Sequence, residues 1–145
     1  MRIALNDLIG LEDGATFAQT YGISFDQGSE WAQQGVQLAL DGRLDEARSI
    51  LEGLVTLNPR SAGYWYALGC VYQSQELAAD AVQAFTQVTA RDRSNADAWL
   101  RLGILKLQRG DRTGLDALRI VVNDKRAENA DLVARAKTIL ANTKN

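Results

Sequence analysis

Trp31, Trp65 and Trp99 are the three tryptophans of this chain, and each stands 34 residues from the next. Gly35, Gly69 and Gly103 keep the same interval, each four residues after a tryptophan. The largest and the smallest side chains therefore share one period, which a chain without internal repetition would not produce. A unit this short cannot bury an apolar face by itself. Its copies must stack, each covering the next, and the fold is then a linear array with one continuous core.

Apolar spacing within each unit is helical rather than alternating, so every unit is a pair of helices and the fold class is all-α. The period and the pattern Trp-x2-Leu-Gly-x2-Tyr, Ala-x3-Phe, Pro resemble the tetratricopeptide repeat (TPR). Repeat two, residues 62–95, carries Trp65, Leu68, Gly69, Tyr72, Ala81 and Phe85 in place. Repeat one, residues 28–61, carries Trp31, Gly35, Leu38, Ala47, Leu51 and Pro59, with Gln34 as a departure. Repeat three, residues 96–129, keeps Trp99, Leu102 and Gly103 but then departs: Leu115 takes the small-residue position, Arg119 the Phe position and Ala127 the Pro position. Its second helix is expected to pack at a different angle. In the other two repeats the glycine of the first helix is expected to meet the alanine of the second, Ala47 or Ala81, and the tryptophans are expected to fill the core.

The sequence predicts helices over 25–41, 44–57, 62–75, 78–91, 96–109, 112–124 and 130–142. Asp41-Gly42, Arg109-Gly110-Asp111 and Asn58-Pro59 end helices, and Ser24-x-x-Gln27 and Ser94-x-x-Asp97 read as N-terminal capping signals. Residues 130–145 form an amphipathic capping helix and tail, with Leu132, Val133, Ala136, Ile139 and Leu140 on one side. Residues 1–27 form a separate N-terminal helical segment. Its leucines and isoleucines are expected to cover the binding groove or to mediate self-association.

A stacked array of this kind curves, and its concave face is lined by the first helix of each repeat. One stripe at helical spacing gives Ser29, Ala32, Val36 and Ala39 from repeat one. It gives Gly63, Tyr66, Cys70 and Gln73 from repeat two, and Asp97, Leu100, Ile104 and Leu107 from repeat three. Eight of these twelve are apolar and Asp97 alone is charged. Grooves that clamp a carboxylate peptide need Lys, Arg or Asn there. This one should take apolar side chains of an extended segment, with Tyr66 as anchor.

The composition argues against chemistry. There is no histidine, and the single cysteine, Cys70, can build neither an internal disulfide nor a cysteine-rich zinc site. No phosphate-binding glycine loop is present, so neither a cofactor nor a metal is expected, and the chain is read as no enzyme. Sixteen basic and eighteen acidic residues, interspersed, leave a net charge of −2 and speak against nucleic acid. No signal peptide and no membrane-spanning run is read from the sequence, and the expected location is the cytoplasm.

The stretch Gly14-Ala-Thr-Phe-Ala-Gln-Thr-Tyr-Gly-Ile-Ser24, followed by three repeats and a terminal helix, resembles the class II chaperones of bacterial type III secretion. Those carry Gly-x-Thr-Leu-Ala and then Ile-Ser ahead of repeat one. The sequence departs from them at Leu54-Val-Thr-Leu-Asn-Pro59, where the family often has Cys-x-x-x-Asp-His. The resemblance implies a cytoplasmic, virulence-associated chaperone that holds an apolar segment of a secreted translocator in its groove. It also implies a homodimer formed through residues 1–23. The alternative is a TPR adaptor or scaffold in a multiprotein assembly such as pilus or secretion machinery.

Overall fold

The computed structural model describes residues 25–143. The front segment, residues 1–23, and the capping signal that begins at Ser24 lie outside the described residues, as does the side chain of Ser29. Among the described residues seven α-helices follow one another: α1 (Phe25–Leu40), α2 (Leu44–Leu57), α3 (Ala62–Ser74), α4 (Ala78–Arg91), α5 (Ala96–Gln108), α6 (Gly114–Val122) and α7 (Ala130–Asn142). A short 3-10 turn, Ala127–Asn129, precedes α7. Among the described residues there is no strand. The helices pair as expected, α1 with α2, α3 with α4 and α5 with α6.

Each first helix ends in the same closure. The N–H groups of Arg43, Leu77 and Asp111 donate to the carbonyls of Leu38, Tyr72 and Lys106, five residues back, at 2.8–2.9 Å. The residues just before them, Gly42, Glu76 and Gly110, are left-handed, with φ of 84°, 61° and 79°. This is the Schellman arrangement, which satisfies the last carbonyls of a helix and needs a positive φ. Repeat two alone makes it without a glycine. Helix starts are periodic too: the Ser61 hydroxyl and the Asn95 side-chain carbonyl accept from the N–H of Tyr64 and Ala98. The cap of α5 is thus Asn95. Ser94, expected in that role, instead donates to Asp92.

The described residues fall into two compact units, divided between Arg91 and Asp92. In the first, α3 is apolar all round because α2 and α4 both pack on it. Its core includes Leu51, Leu54, Tyr64, Leu68, Ala81 and Phe85, all at most 1% exposed. The tryptophans are not part of this fully buried set: Trp31 is 39% exposed, and Trp65 is half-buried with its indole N–H donating to Pro59 O at 2.8 Å. Nor are alanines the nearest neighbours of the glycines. A Cβ on Gly69 would lie 2.9 Å from the Phe85 ring, and one on Gly35 would lie 3.2 Å from Leu51. The alanines sit one turn earlier on the same inward face.

In the second unit the pattern is displaced rather than lost. Gly103 faces Leu118 and Gly114, one residue ahead of Arg119 and Leu115, and a Cβ on Gly114 would stand 2.5 Å from Gly103 O. The two backbones leave no space for a side chain. The cause lies in the turn before α6. Ala47 and Ala81 donate to carbonyls four residues back, whereas Gly114, Leu115 and Asp116 donate to carbonyls three residues back. Such a 3-10 turn rotates each residue about 20° further than an α-turn, so the inward face arrives one residue sooner. Asp111 fastens it, accepting from the N–H and hydroxyl of Thr113 at 2.9 and 2.6 Å. Those bonds, the hydroxyl's first, hold its carboxyl below the usual range. Helix α7 then packs on α6 and α5, burying Ala136 beside Leu100, Leu118 and Val121.

Candidate functional site

The first unit contains an apolar cavity of about 160 Å³. Helix α1 supplies Val36, Ala39 and Leu40, α2 supplies Leu51, and α3 supplies Tyr66, Ala67, Cys70, Val71 and Ser74. No charged side chain lines it. Its position follows from the fold, because α1 and α3 are the first helices of successive repeats and the cavity opens between them. Tyr66 is held in place: its ring meets that of Phe85 edge to face, with centroids 5.8 Å apart and planes at 69°. Phe85 is fully buried, so one side of the Tyr66 ring is fixed before any ligand arrives.

Four residues named from the sequence, Val36, Ala39, Tyr66 and Cys70, come together here. Gln73 lies on the same helix, half-buried, and does not line the cavity. Ala32 and Leu100 are 2% and 1% exposed and belong to the cores of their units, so neither presents a surface to a ligand. In the second unit Ile104 and Leu107 are half-buried against the cluster of Leu100, Leu118, Val121 and Ala136. Part of their surface is therefore committed to α6 and α7.

Sequence reasoning missed Leu40, Leu51, Ala67, Val71 and Ser74. A single stripe per helix does not describe this site, because a cleft between two helices is lined by the facing stripe of one and the flank of the other. Ala67, Val71 and Ser74 stand at spacings of four and three, which was the available signal. Leu40 is 55% exposed at the rim, an unusual exposure for a leucine beside an apolar cavity.

A polar network lies elsewhere on this unit. Gln75 donates to Asp45 at 2.7 Å, Arg48 reaches Glu52 at 3.6 Å, and the Tyr72 hydroxyl donates to Glu52 at 2.9 Å. Partial burial, and then the bond to Glu52, raise the Tyr72 pKa, so the phenol stays protonated. The network fastens α2 to the end of α3 and exposes no reactive group. Among the described residues no group of three His, Cys, Asp or Glu side chains could hold a metal ion, and no helix is long and apolar enough to cross a membrane.

A tetratricopeptide-repeat family model matches residues 62–95. No curated protein matches the sequence. Among solved structures, a type III secretion system complex from Aeromonas hydrophila superposes with a TM-score of 0.80 at 24% identity, covering 90% of this chain and 89% of that one. PcrH, in complex with the chaperone-binding region of PopD, gives 0.77 at 24% identity, covering 86% and 96%; PcrH is from Pseudomonas aeruginosa. SycD, the type III secretion translocator chaperone of Yersinia enterocolitica, gives 0.75 at 16% identity, covering 87% and 96%. At these identities the likeness shows the fold, an all-helical array of TPR type along nearly the whole of each chain.

Proposed function

We propose that this protein is a cytoplasmic chaperone that binds an extended, apolar segment of a secreted translocator subunit along the first helices of its repeats. The observation that carries the reading is the uncharged cavity between α1 and α3, bounded by Val36, Ala39, Leu40, Tyr66 and Cys70. Apolar walls hold water poorly, so an aliphatic or aromatic side chain that enters this open recess releases weakly bound water and gains dispersion contact with the walls. Support comes from the proteins of like fold: PcrH has been solved with the chaperone-binding regions of PopD and PopB, and SycD with a peptide of YopD.

Such binding needs no bond-making. A membrane-inserting subunit is insoluble because its apolar segments meet water, and a chaperone that occupies one of them keeps the subunit from collapse until export. The lack of histidine and of any catalytic grouping in the sequence agrees with a protein that binds and is no enzyme. Self-association through residues 1–23 belongs to the same reading, and SycD has been solved as an alternative dimer. In this reading Val36, Ala39, Tyr66 and Cys70 form the anchor site of the first unit with Gln73 beside them, and Ile104 and Leu107 are the second unit's own candidates, by what surface they leave exposed.

The test is co-purification of the full chain from its host and identification of what it carries, followed by titration with a synthetic peptide spanning the bound segment. A secreted partner with membrane-inserting segments, bound through a short apolar stretch, is the expected result. A stably folded partner without such segments would replace this reading with that of a TPR adaptor.

A further inference from the structure

The second unit carries a recess of about 200 Å³ that shares no lining residue with the cavity between α1 and α3. Its apolar floor is Trp99 of α5 with Ile120 and Val121 of α6, and its polar edge is Arg93, Asp124 and Arg126. Trp99 is anchored to that edge, its indole N–H donating to Arg93 O at 3.0 Å. Repeat one has a recess at the equivalent place, along Trp31, Gly53, Leu54 and Leu57. With the one-residue displacement of α6, these last three correspond to Ile120, Val121 and Asp124. The fold therefore supplies the hollow in both repeats, but no charged side chain lines the one beside Trp31. The isoleucine and the basic edge are what repeat three adds.

Neither addition serves the packing. Ile120 is 42% exposed, at a position where repeat one has Gly53 and repeat two, two residues after Phe85, has Gln87. A β-branched side chain there neither favours the helix nor fills the core. Arg93 is exposed, and among the described residues its guanidinium has no hydrogen bond or ion pair. Arg126 gives Nε and Nη2 to Asp124 and Ser94 O, and its Nη1 has no partner among the described residues. The Asp124 side chain is only 11% exposed and is occupied by Arg126 and Asn129. The recess thus presents an apolar floor edged by two guanidinium groups with unused N–H donors, on a chain whose net charge is −2. A guanidinium fork matches a carboxylate, and a floor of Trp99 and Ile120 matches an aliphatic side chain. We propose that this recess docks an internal segment of a partner protein in which an aliphatic residue stands next to Asp or Glu, the aliphatic side chain on Trp99 and Ile120 and the carboxylate on Arg93 and Arg126 Nη1. The site stands on other residues than the cavity of the first unit and does not depend on what that cavity binds.

A phage-displayed library of random dodecapeptides, selected on the immobilised full chain, supplies the probe. Peptides with an aliphatic residue beside Asp or Glu are the expected yield. Their binding should fall about tenfold or more with Arg93→Glu and with Ile120→Ser, and should be unchanged with Leu40→Lys at the rim of the first unit's cavity. Both test positions are exposed, and Arg93→Glu decides alone should Ile120→Ser melt early. Made synthetically with both ends blocked, the peptides should shift the Ile120 methyl resonance, assigned with Ile120→Val, and leave that of Ile50 in place. Binding as tight to Arg93→Glu as to the native chain would overturn the proposal. So would binding that is lost when the peptide C-terminus is blocked, since the recess would then take chain ends. A selection that yields only peptides weakened by Leu40→Lys and kept by Arg93→Glu would overturn it as well, while leaving the chaperone reading intact.

Discussion

Gly69 in α3 faces the ring of Phe85 in α4 so closely that a methyl group on it would stand 2.9 Å from two ring carbons. Phe85 is fully buried, with no free side to yield toward, so Gly69→Ala is expected to destabilise by about 2 kcal/mol, within the range for overpacked cores. Gly35→Ala is the control. Its neighbour is a Leu51 side chain at 3.2 Å, and the gain in helix propensity offsets a small displacement there. Urea denaturation of both variants should separate them, and equal losses would show that the Phe85 ring does not fix the helix spacing.

Glu76 occupies the left-handed closure that Gly42 and Gly110 occupy in the other repeats. A side chain costs about 1 kcal/mol in that conformation, which glycine adopts freely. Glu76→Gly is therefore expected to raise stability by about 0.5–1 kcal/mol, and Gly42→Glu to lower it by a similar amount. Thermal melts of the two variants decide it, and a destabilising Glu76→Gly would point to a role for the carboxylate.

Asp124 accepts hydrogen bonds from the guanidinium and the backbone N–H of Arg126 and from Asn129. The guanidinium bond, as the largest cause, holds its carboxyl well below the usual carboxylate range. Arg126 also donates to Ser94 O, so the pair ties the loop before α7 to the start of α5. Because the folded pKa is depressed, the contribution is complete above the unfolded value of about 3.9 and fades as pH falls through the folded one. Protection of the amides of residues 123–129, taken relative to intrinsic exchange at each pH, should therefore fall under acid in the native chain, and Asp124→Asn should show that low protection already at neutral pH. Arg126 is half-exposed but the Asp124 side chain is only 11% exposed, so salt should weaken the effect only in part.

Much of the fold was legible because the period is carried by steric extremes. A glycine under Phe85 and a tryptophan beside Pro59 leave few substitutions open, so they recur at fixed spacing and reveal the helix pairs. The displaced register of α6 was not legible. It depends on whether Gly114, Leu115 and Asp116 donate three or four residues back, a difference of hydrogen bonding in one turn that no side-chain pattern announces. The lining of the candidate site was half legible for a related reason. Helical spacing found Val36, Ala39, Tyr66 and Cys70, but it cannot say that Leu100 turns into the core with Ala136 or that Ala67 and Val71 face the cleft from the flank of α3.

A test of the proposed binding site needs substitutions that leave the core untouched, and the structure narrows the choice. Tyr66 packs on Phe85 and Ile104 on the cluster around Leu118, so a charge at either would mix lost binding with lost stability. Leu40 and Ser74, exposed at the rim of the cavity on α1 and α3, carry no such burden. Leu40→Lys and Ser74→Lys are expected to change stability by less than about 0.5 kcal/mol, as exposed substitutions do. Each brings an ammonium to the mouth of an apolar cavity, where a bound peptide would strip its water without offering a partner. Affinity for the peptide recovered with the native protein should fall by about 1 kcal/mol, or some fivefold, the cost of desolvating an unpaired polar group at the rim. Calorimetric titration and thermal melts on the same samples make the comparison. Native-like melting with unchanged affinity in both variants would place the binding site away from the cavity between α1 and α3.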